Sequence, residues 1–145
     1  MARVLVIDDE PDVLLLCRVN LQHVGYDVFE ASDGERGLHL AVTELPDAVV
    51  LDLMLPLMDG YDVLSALRAD ERTKDVPVLV LTAKAQREDR VRCWEQGASE
   101  YMTKPFSPAA LATTLAHLMT MSPGQREDRR TEVLRKLRDE MPAWR

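Results

Sequence analysis

The chain has 145 residues, of which 46% are hydrophobic and 30% charged, and its formal net charge is -7. This length suits one ordinary domain with a short appendage and leaves no room for a second full domain. The acidic balance argues against general affinity for nucleic acid or anionic membrane, because both require a basic surface.

The targeting pattern predicts a cytoplasmic protein, and the cysteine and histidine patterns argue against a zinc site or a redox pair. No apolar run approaches the roughly 20 residues of a membrane-spanning helix, and the chain enters a strand at once without a signal-peptide pattern. Cys17 and Cys93 lie far apart in helical patterns, which predicts buried or half-buried free thiols. His23, His39 and His117 have no neighbouring ligands at metal-site spacing.

Five short apolar runs alternate with five helical patterns along the chain. The predicted strands are Val4–Ile7, Tyr26–Ala31, Ala48–Leu51, Pro77–Leu81 and Ser99–Thr103. The helical patterns run from Pro11 to Gly25, from Gly34 through Leu45, from Tyr61 to about Ala69, from about Gln86 to Gln96, and from Pro108 through Met119, with Asp59 and Ser107 as caps. This alternation predicts a flavodoxin-like (βα)5 fold of the α/β class, with a parallel sheet and helices on both faces.

Polar side chains follow four of the five predicted strands. Asp8 and Asp9 follow the first strand, Asp52 the third, Thr82 the fourth, and Lys104 the fifth. The second strand contributes none, which suits the order 2-1-3-4-5, where it lies at an edge and the ligand crevice opens between strands one and three. We therefore expect these five side chains to meet in one crevice.

This set of side chains predicts transfer of a phosphoryl group onto an aspartate. Three carboxylates in one crevice repel each other unless a cation shares the site, and oxygen ligands without His or Cys indicate Mg²⁺. The Lys104 ammonium and the Thr82 hydroxyl can bind phosphoryl oxygens. Asp52, at the end of a buried strand, is the natural nucleophile.

Several short motifs stand at the strand ends and in the turns that follow them. They are Asp8-Asp9-Glu10-Pro11, Asp52 with Leu55-Pro56 and Met58-Asp59-Gly60, Thr82-Ala83, Gly97-Ala98, and Tyr101 with Lys104-Pro105-Phe106. With these motifs in this order, residues 3 to about 120 resemble the receiver domain of two-component response regulators, and are similar in particular to the stand-alone chemotaxis type.

The resemblance implies a phosphorylation site with a metal ion. Asp52 would accept phosphate from a histidine kinase or a phosphorelay protein. Asp9, Asp52 and the main-chain carbonyl of Met54 would hold Mg²⁺, and Asp8 would contribute mainly through water.

The resemblance also implies a conformational switch. Thr82 and Tyr101 would form it, the hydroxyl moving toward the phosphoryl group as the ring turns inward, and the surface of the fourth helix, fifth strand and fifth helix would change for a partner or output domain. The Lys104–Pro105 peptide bond would be cis, which proline permits.

Two positions tune the lifetime of the phosphoryl group in this family, and Met54 and Lys84 occupy them here. Met54 has no group to orient an attacking water, so we predict self-dephosphorylation on the order of minutes or longer. On this interpretation the chain acts on itself and is not an enzyme with an external substrate.

Two other functions compete with the switch. A Mg²⁺-dependent hydrolase of the haloacid-dehalogenase type would carry a second acid two residues after the nucleophile, where Asp52-Leu53-Met54 has none. A receiver that serves only as a scaffold would have lost the acceptor, an acid or the lysine, and all three are present. We therefore favour the switch.

Residues 1–121 form the predicted receiver domain, and residues 122–145 form a charged tail. Val133, Leu134, Leu137 and Met141 share one helical face of the tail. The tail is too short for a DNA-binding domain, so we expect no direct nucleic-acid binding by this chain. We favour a docked or marginal helix, and the alternative is a dimerising or linker helix that leads to an absent output domain.

A homodimer through the fourth helix, fifth strand and fifth helix stays open from the sequence. Glu88, Asp89, Arg90 and Glu100 could supply some of its ion pairs. The basic residues usual on the last helix of such dimers are absent, so this arrangement is not favoured.

Overall fold

A five-stranded parallel sheet forms the centre of the structure, a computed structural model that describes residues 1–140. The strand order is β2-β1-β3-β4-β5, and every neighbouring pair is parallel. The flavodoxin-like class and the strand order predicted from the sequence are therefore confirmed. The strands are β1 (Arg3–Ile7), β2 (Asp27–Ala31), β3 (Ala48–Leu51), β4 (Val78–Thr82) and β5 (Glu100–Thr103).

Helices cover both faces of this sheet. One core contains apolar side chains of the second, third and fourth helices, and the core on the opposite face contains those of the first and fifth. The ends differ from the predicted ones by a residue or two, within the usual fraying of helix and strand termini. The helices are α1 (Pro11–His23), α2 (Gly34–Glu44), α3 (Gly60–Ala69), α4 (Arg87–Glu95), α5 (Pro108–Thr120) and α6 (Pro123–Asp139).

Local sequence signals explain where several elements begin and how deeply they lie. The Asp59 side chain accepts a hydrogen bond from the third residue of α3, and Ser107 caps α5 in the same way, as predicted. Strand β3 is buried along its whole length, as expected of a central strand covered on both faces. Cys17 and Cys93 are buried free thiols, as predicted.

The residues after α5 continue into α6, which packs against α4. Ser122 begins α6 with a capping box in which Gln125 bonds back to the Ser122 backbone. Leu134, on the predicted apolar face, is buried. Met141, predicted on the same face, lies outside the described residues. Within residues 1–140, no helix is both long and apolar enough to cross a membrane.

Candidate phosphorylation site

Asp8 and Asp52 lie side by side because their strands are neighbours in the sheet. Ile7 of β1 is paired with Leu51 of β3, so the next residue of each strand enters the crevice between them. The Asp52 backbone N–H also donates a hydrogen bond to the Ile7 carbonyl at 3.0 Å. Asp8 and Asp52 are only 2% and 3% exposed, respectively. Two carboxylates are thus held close together away from bulk water.

Two further acids complete a cluster at the mouth of the crevice. Asp8, Asp9, Glu10 and Asp52 each present a carboxylate oxygen, and these oxygens lie within 4.8 Å of one another. Asp9 and Glu10 are exposed, so the cluster opens to solvent on one side. An oxygen-only donor set with an open side fits Mg²⁺, which retains several of its waters.

Lys104 joins the buried acids from the end of β5. Its ammonium nitrogen lies 2.8 Å from an Asp8 oxygen and 3.0 Å from an Asp52 oxygen, and 3.1 Å from Glu10. Its side chain is only 11% exposed, and the Lys104–Pro105 peptide bond that follows is cis. The Glu10 contact was not predicted from the sequence, where Glu10 served only as part of a motif.

Opposed electrostatic effects act on these groups. Burial raises the pKa of Asp8 above its ordinary value, while hydrogen bonds from Lys104 and the Glu10 backbone lower it and the Asp52 charge raises it, with a net rise. Burial alone would lower the pKa of Lys104, but hydrogen bonds to Asp8, Asp52 and Glu10 outweigh it and raise the pKa. Lys104 is therefore charged at neutral pH and partly neutralises the acids.

The turn after β3 fixes the orientation of Asp52. One Asp52 oxygen accepts a hydrogen bond from the Met54 backbone N–H at 3.1 Å, and the other faces Lys104. Gly60 passes directly beneath this turn: a Cβ at that position would lie 2.2 Å from the Asp52 carbonyl oxygen. Only glycine permits so close an approach. The Met54 residue itself is 52% exposed beside the crevice.

Thr82 and Tyr101 are linked through the backbone of Lys84. The buried Thr82 hydroxyl accepts a hydrogen bond from the Lys84 N–H at 3.3 Å. The Tyr101 hydroxyl donates to the Lys84 carbonyl, and the Arg90 guanidinium lies 5.8 Å from the centre of the ring. Tyr101, in β5, is half-buried, and its hydroxyl bonds to the β4–α4 loop, so a movement of that loop reaches its ring.

The Lys84 ammonium is directed to helices α3 and α4. It lies 3.9 Å from an Asp89 carboxylate oxygen and 5.7 Å from the centre of the Tyr61 ring. The Tyr61 hydroxyl donates to Asp89 at 2.8 Å, and Arg92 stacks 3.7 Å above the ring centre. No local sequence signal indicates this cluster, because its members belong to three different elements.

Comparison with known proteins gives relatives of one kind. A profile of the response regulator receiver domain matches residues 4–116. The DNA-binding dual master transcriptional regulator RpaA of Synechocystis is 51% identical over 73% of this chain and 44% of its own length. The alkaline phosphatase synthesis transcriptional regulatory protein PhoP of Bacillus subtilis is 50% identical over 73% of this chain and 43% of its own. The chain thus matches less than half the length of these relatives.

Solved structures agree with the sequence relatives. The chemotaxis protein CheY4 of Vibrio cholerae superimposes with a TM-score of 0.78 at 32% identity, covering 81% of this chain and 98% of its own. The receiver domain of the sensor histidine kinase PA1611 of Pseudomonas aeruginosa, which has a magnesium ion in its active site cleft, has a TM-score of 0.77 at 32% identity over 83% of this chain and 98% of its own. From its fold, its site geometry and these matches, the chain belongs to the response regulator receiver domain family.

Proposed function

We propose that Asp52 accepts a phosphoryl group from a histidine kinase or a phosphorelay protein and that this modification operates a signalling switch. The observation that carries the proposal is the Lys104 ammonium held between Asp8 and Asp52 beside a solvent-open acid cluster. This arrangement supplies a nucleophile, a counter-charge and a place for a cation within one crevice. Family membership supports a kinase partner.

The reaction proceeds by displacement at phosphorus. An Asp52 carboxylate oxygen attacks, the new O–P bond forms an acyl phosphate, and the bond from phosphorus to the donor imidazole nitrogen breaks. The leaving imidazole retains the electron pair of that bond and takes up a proton. Lys104, which bonds Asp52 at 3.0 Å, transfers its hydrogen bond to a phosphoryl oxygen. Neutralising charge at fixed positions is the main catalytic contribution in phosphoryl transfer.

The acid cluster is the proposed Mg²⁺ site. Asp9, Asp52 and the Met54 main-chain carbonyl would hold the ion, and Asp8 would act through a water molecule. When bound, Mg²⁺ offsets the repulsion between these carboxylates and the incoming phosphoryl oxygens. The magnesium ion in the related receiver of PA1611 supports this assignment.

The proposed switch uses the link through Lys84. Once phosphate is present, the Thr82 hydroxyl turns to a phosphoryl oxygen and ceases to accept from the Lys84 N–H. The β4–α4 loop then shifts, the Tyr101 hydroxyl loses its present acceptor, and the ring turns inward. The surface of α4, β5 and α5 changes as a result, and it is there that a separate target or an output domain would respond.

We propose a long-lived phosphorylated state. Met54, at one tuning position, carries no acid or amide to orient water, and the ammonium of Lys84, at the other, is held beside Asp89. Self-dephosphorylation should therefore take on the order of minutes or longer. The decay can be monitored by intact mass after the phosphoryl donor is removed. Loss of the phosphoryl group within seconds would contradict this prediction. The absence of a second acid at Met54 also disfavours the hydrolase alternative.

The test is phosphorylation of the purified chain with Mg²⁺ and acetyl phosphate. Intact mass should rise by one phosphoryl group in the wild type, and removal of Mg²⁺ with EDTA should prevent the rise. Asp52→Asn should not be modified, while the matched control Asp62→Asn, an exposed acid on α3, should react normally. No Mg²⁺-dependent rise in the wild type, or an equal rise in Asp52→Asn, would overturn the proposal.

A further inference from the structure

Helix α6 lies on α4 and reaches β5, next to the proposed switch residue Tyr101. We call the contact between α6 and these two elements the α6 interface. Its apolar part is small: Leu134 of α6 and Trp94 of α4 are buried there, at 6% and 3% exposure. Val133 and Leu137 of α6 are half-buried, and the rest of the interface is formed by charged side chains and backbone carbonyls.

Arginine side chains make most of the α6 interface. Arg130 donates to the Trp94 carbonyl at 2.8 Å, where it closes the end of α4. Arg129 pairs with Glu100 of β5 and lies 5.7 Å from the centre of the Trp94 ring. The Arg129 and Glu100 side chains are 39% and 18% exposed, so water still reaches this pair and screens part of its attraction. The interface thus fixes the position of α6 without the apolar area that would make docking permanent.

Tyr101 connects this interface to the phosphorylation site. Its ring lines an open cleft of about 330 Å³ together with Val133 and Leu137 of α6. Arg90 of α4 lines the same cleft and stacks on the ring. The neighbouring residue, Glu100, holds Arg129. The side chain that the phosphorylation switch would move therefore forms part of the surface that α6 occupies.

We propose that α6 is an intramolecular occupant of the α4–β5 surface and that phosphorylation of Asp52 releases it; this inference rests on the proposed function of Asp52. Inward rotation of Tyr101 withdraws the ring from the cleft beside Val133 and Leu137. Movement of the β4–α4 loop also displaces Arg90 from its position over the ring. Both changes remove contacts from an interface that has few apolar contacts.

Release of α6 defines the surface that becomes available. Trp94 and Tyr101 would offer apolar faces, and Glu95 and Glu100 would lose the arginines that now neutralise them. In the unphosphorylated chain Trp94 is buried and both acids are paired with arginines of α6, which limits access to this surface. Phosphorylation would thus control access to the surface as well as its shape.

The test is hydrogen–deuterium exchange of the full chain, read by mass spectrometry, in Mg²⁺ with and without beryllofluoride as a stable mimic of the phosphoryl group. Amides of residues 126–138 should exchange about tenfold or more faster with the mimic, because undocking exposes a helix that is marginal alone. Asp52→Asn should show no change. Peptides that contain residues 52–60 report binding of the mimic independently of α6.

Variants separate docking from other causes of faster exchange. Leu134→Asp should release α6 without the mimic and leave no further increase when the mimic is added. Lys136→Ala, on the outward face and 66% exposed, should behave as the wild type.

Two results would overturn the inference in distinguishable ways. If the mimic protects residues 52–60 but α6 exchange is unchanged or slower, the inference is wrong and the function of Asp52 stands. If the mimic changes the exchange of neither residues 52–60 nor α6, and acetyl phosphate adds no mass, the proposed function is wrong. The inference is then wrong as well, because it rests on that function.

Discussion

The Asp52 crevice and the α6 interface both depend on charged side chains, but they differ in burial. In the crevice the Lys104 side chain is 11% exposed and its partners Asp8 and Asp52 only 2% and 3%. At the α6 interface Arg138 and Glu95 are 55% and 49% exposed. Charges withdrawn from water interact strongly and must be matched, whereas exposed pairs are screened and individually dispensable.

This difference fits the two proposed roles. The crevice must hold Asp52 in one geometry so that the site is already arranged when a phosphoryl donor and a metal ion bind. The α6 interface must break when the crevice changes, which requires that no single contact in it be strong. Matched substitutions in the two regions therefore test the comparison directly.

The largest difference is expected between Gly60→Ala and Gly124→Ala. At Gly60 the new methyl group would lie 2.2 Å from the Asp52 backbone oxygen, whereas at Gly124 the nearest atom is 3.9 Å away. We expect Gly60→Ala to lower the free energy of unfolding by about 3 kcal/mol and to slow phosphorylation by displacing Asp52. Gly124→Ala should raise stability by less than about 1 kcal/mol through helix propensity.

Urea denaturation of both glycine variants, followed by circular dichroism, measures these effects. Equal stability of the two variants would show that the turn beneath Asp52 adapts freely. The crevice would then be no more rigid than the α6 interface, even at Gly60, where its packing is tightest.

The main features of the crevice could be predicted because they are local. Asp8, Asp52, Thr82 and Lys104 each stand at the end of an apolar run, and parallel strands bring such ends to one edge of the sheet. The alternation of strands and helices gives the sheet, and the polar pattern gives its order. Knowledge of chain direction and strand order therefore suffices to bring these residues together.

The remaining contacts depend on three-dimensional packing that no sequence spacing encodes. Glu10 contacts Lys104, which is 94 positions away in the sequence. Arg130 donates a hydrogen bond to a backbone carbonyl of α4, which no side-chain pattern indicates. The apolar face of α6 was visible from Leu134 and its neighbours, but not the surface on which it docks. A helix with one apolar stripe can dock wherever an exposed carbonyl or acid lies at the right distance.

The next largest difference is expected between Lys104→Met and Arg129→Met. Loss of Lys104 leaves two buried carboxylates without their counter-charge, so we expect a loss of about 2 kcal/mol in EDTA, below the range for fully buried pairs because the crevice opens to water. Arg129 is 39% exposed, and its removal should cost about 0–1 kcal/mol.

Added Mg²⁺ provides the control for the lysine effect. It should restore part of the stability of Lys104→Met by supplying positive charge to the same acids, and should leave Arg129→Met unchanged. Equal losses for the two variants in EDTA would contradict the distinction between buried and exposed charge.

Asp8→Asn should have a smaller effect that depends on pH. The pKa of Asp8 is raised above the ordinary 3.8, chiefly by burial, so the folded chain binds this proton more tightly than the unfolded chain. Its contribution to stability is present below that value and is lost as the pH rises through the raised pKa. In EDTA, the wild type should therefore lose stability relative to Asp8→Asn as the pH rises from 3.8. A difference independent of pH would contradict this prediction.

The smallest effect is expected for the pair Arg138 and Glu95, whose charged atoms lie 3.3 Å apart at the rim of the α6 interface. A double-mutant cycle with Arg138→Ala and Glu95→Ala should give a coupling energy of about 0–0.5 kcal/mol that disappears in 1 M salt, where the screening length falls to about 3 Å. Exposed pairs lose most of their attraction to water and to side-chain entropy, so each contributes little and none can hold α6 alone. A coupling energy above about 1 kcal/mol that persists in salt would show that this pair is as strong as the buried pairs of Lys104, contrary to the comparison. Release of α6 by a change as small as the rotation of one ring would then be too costly.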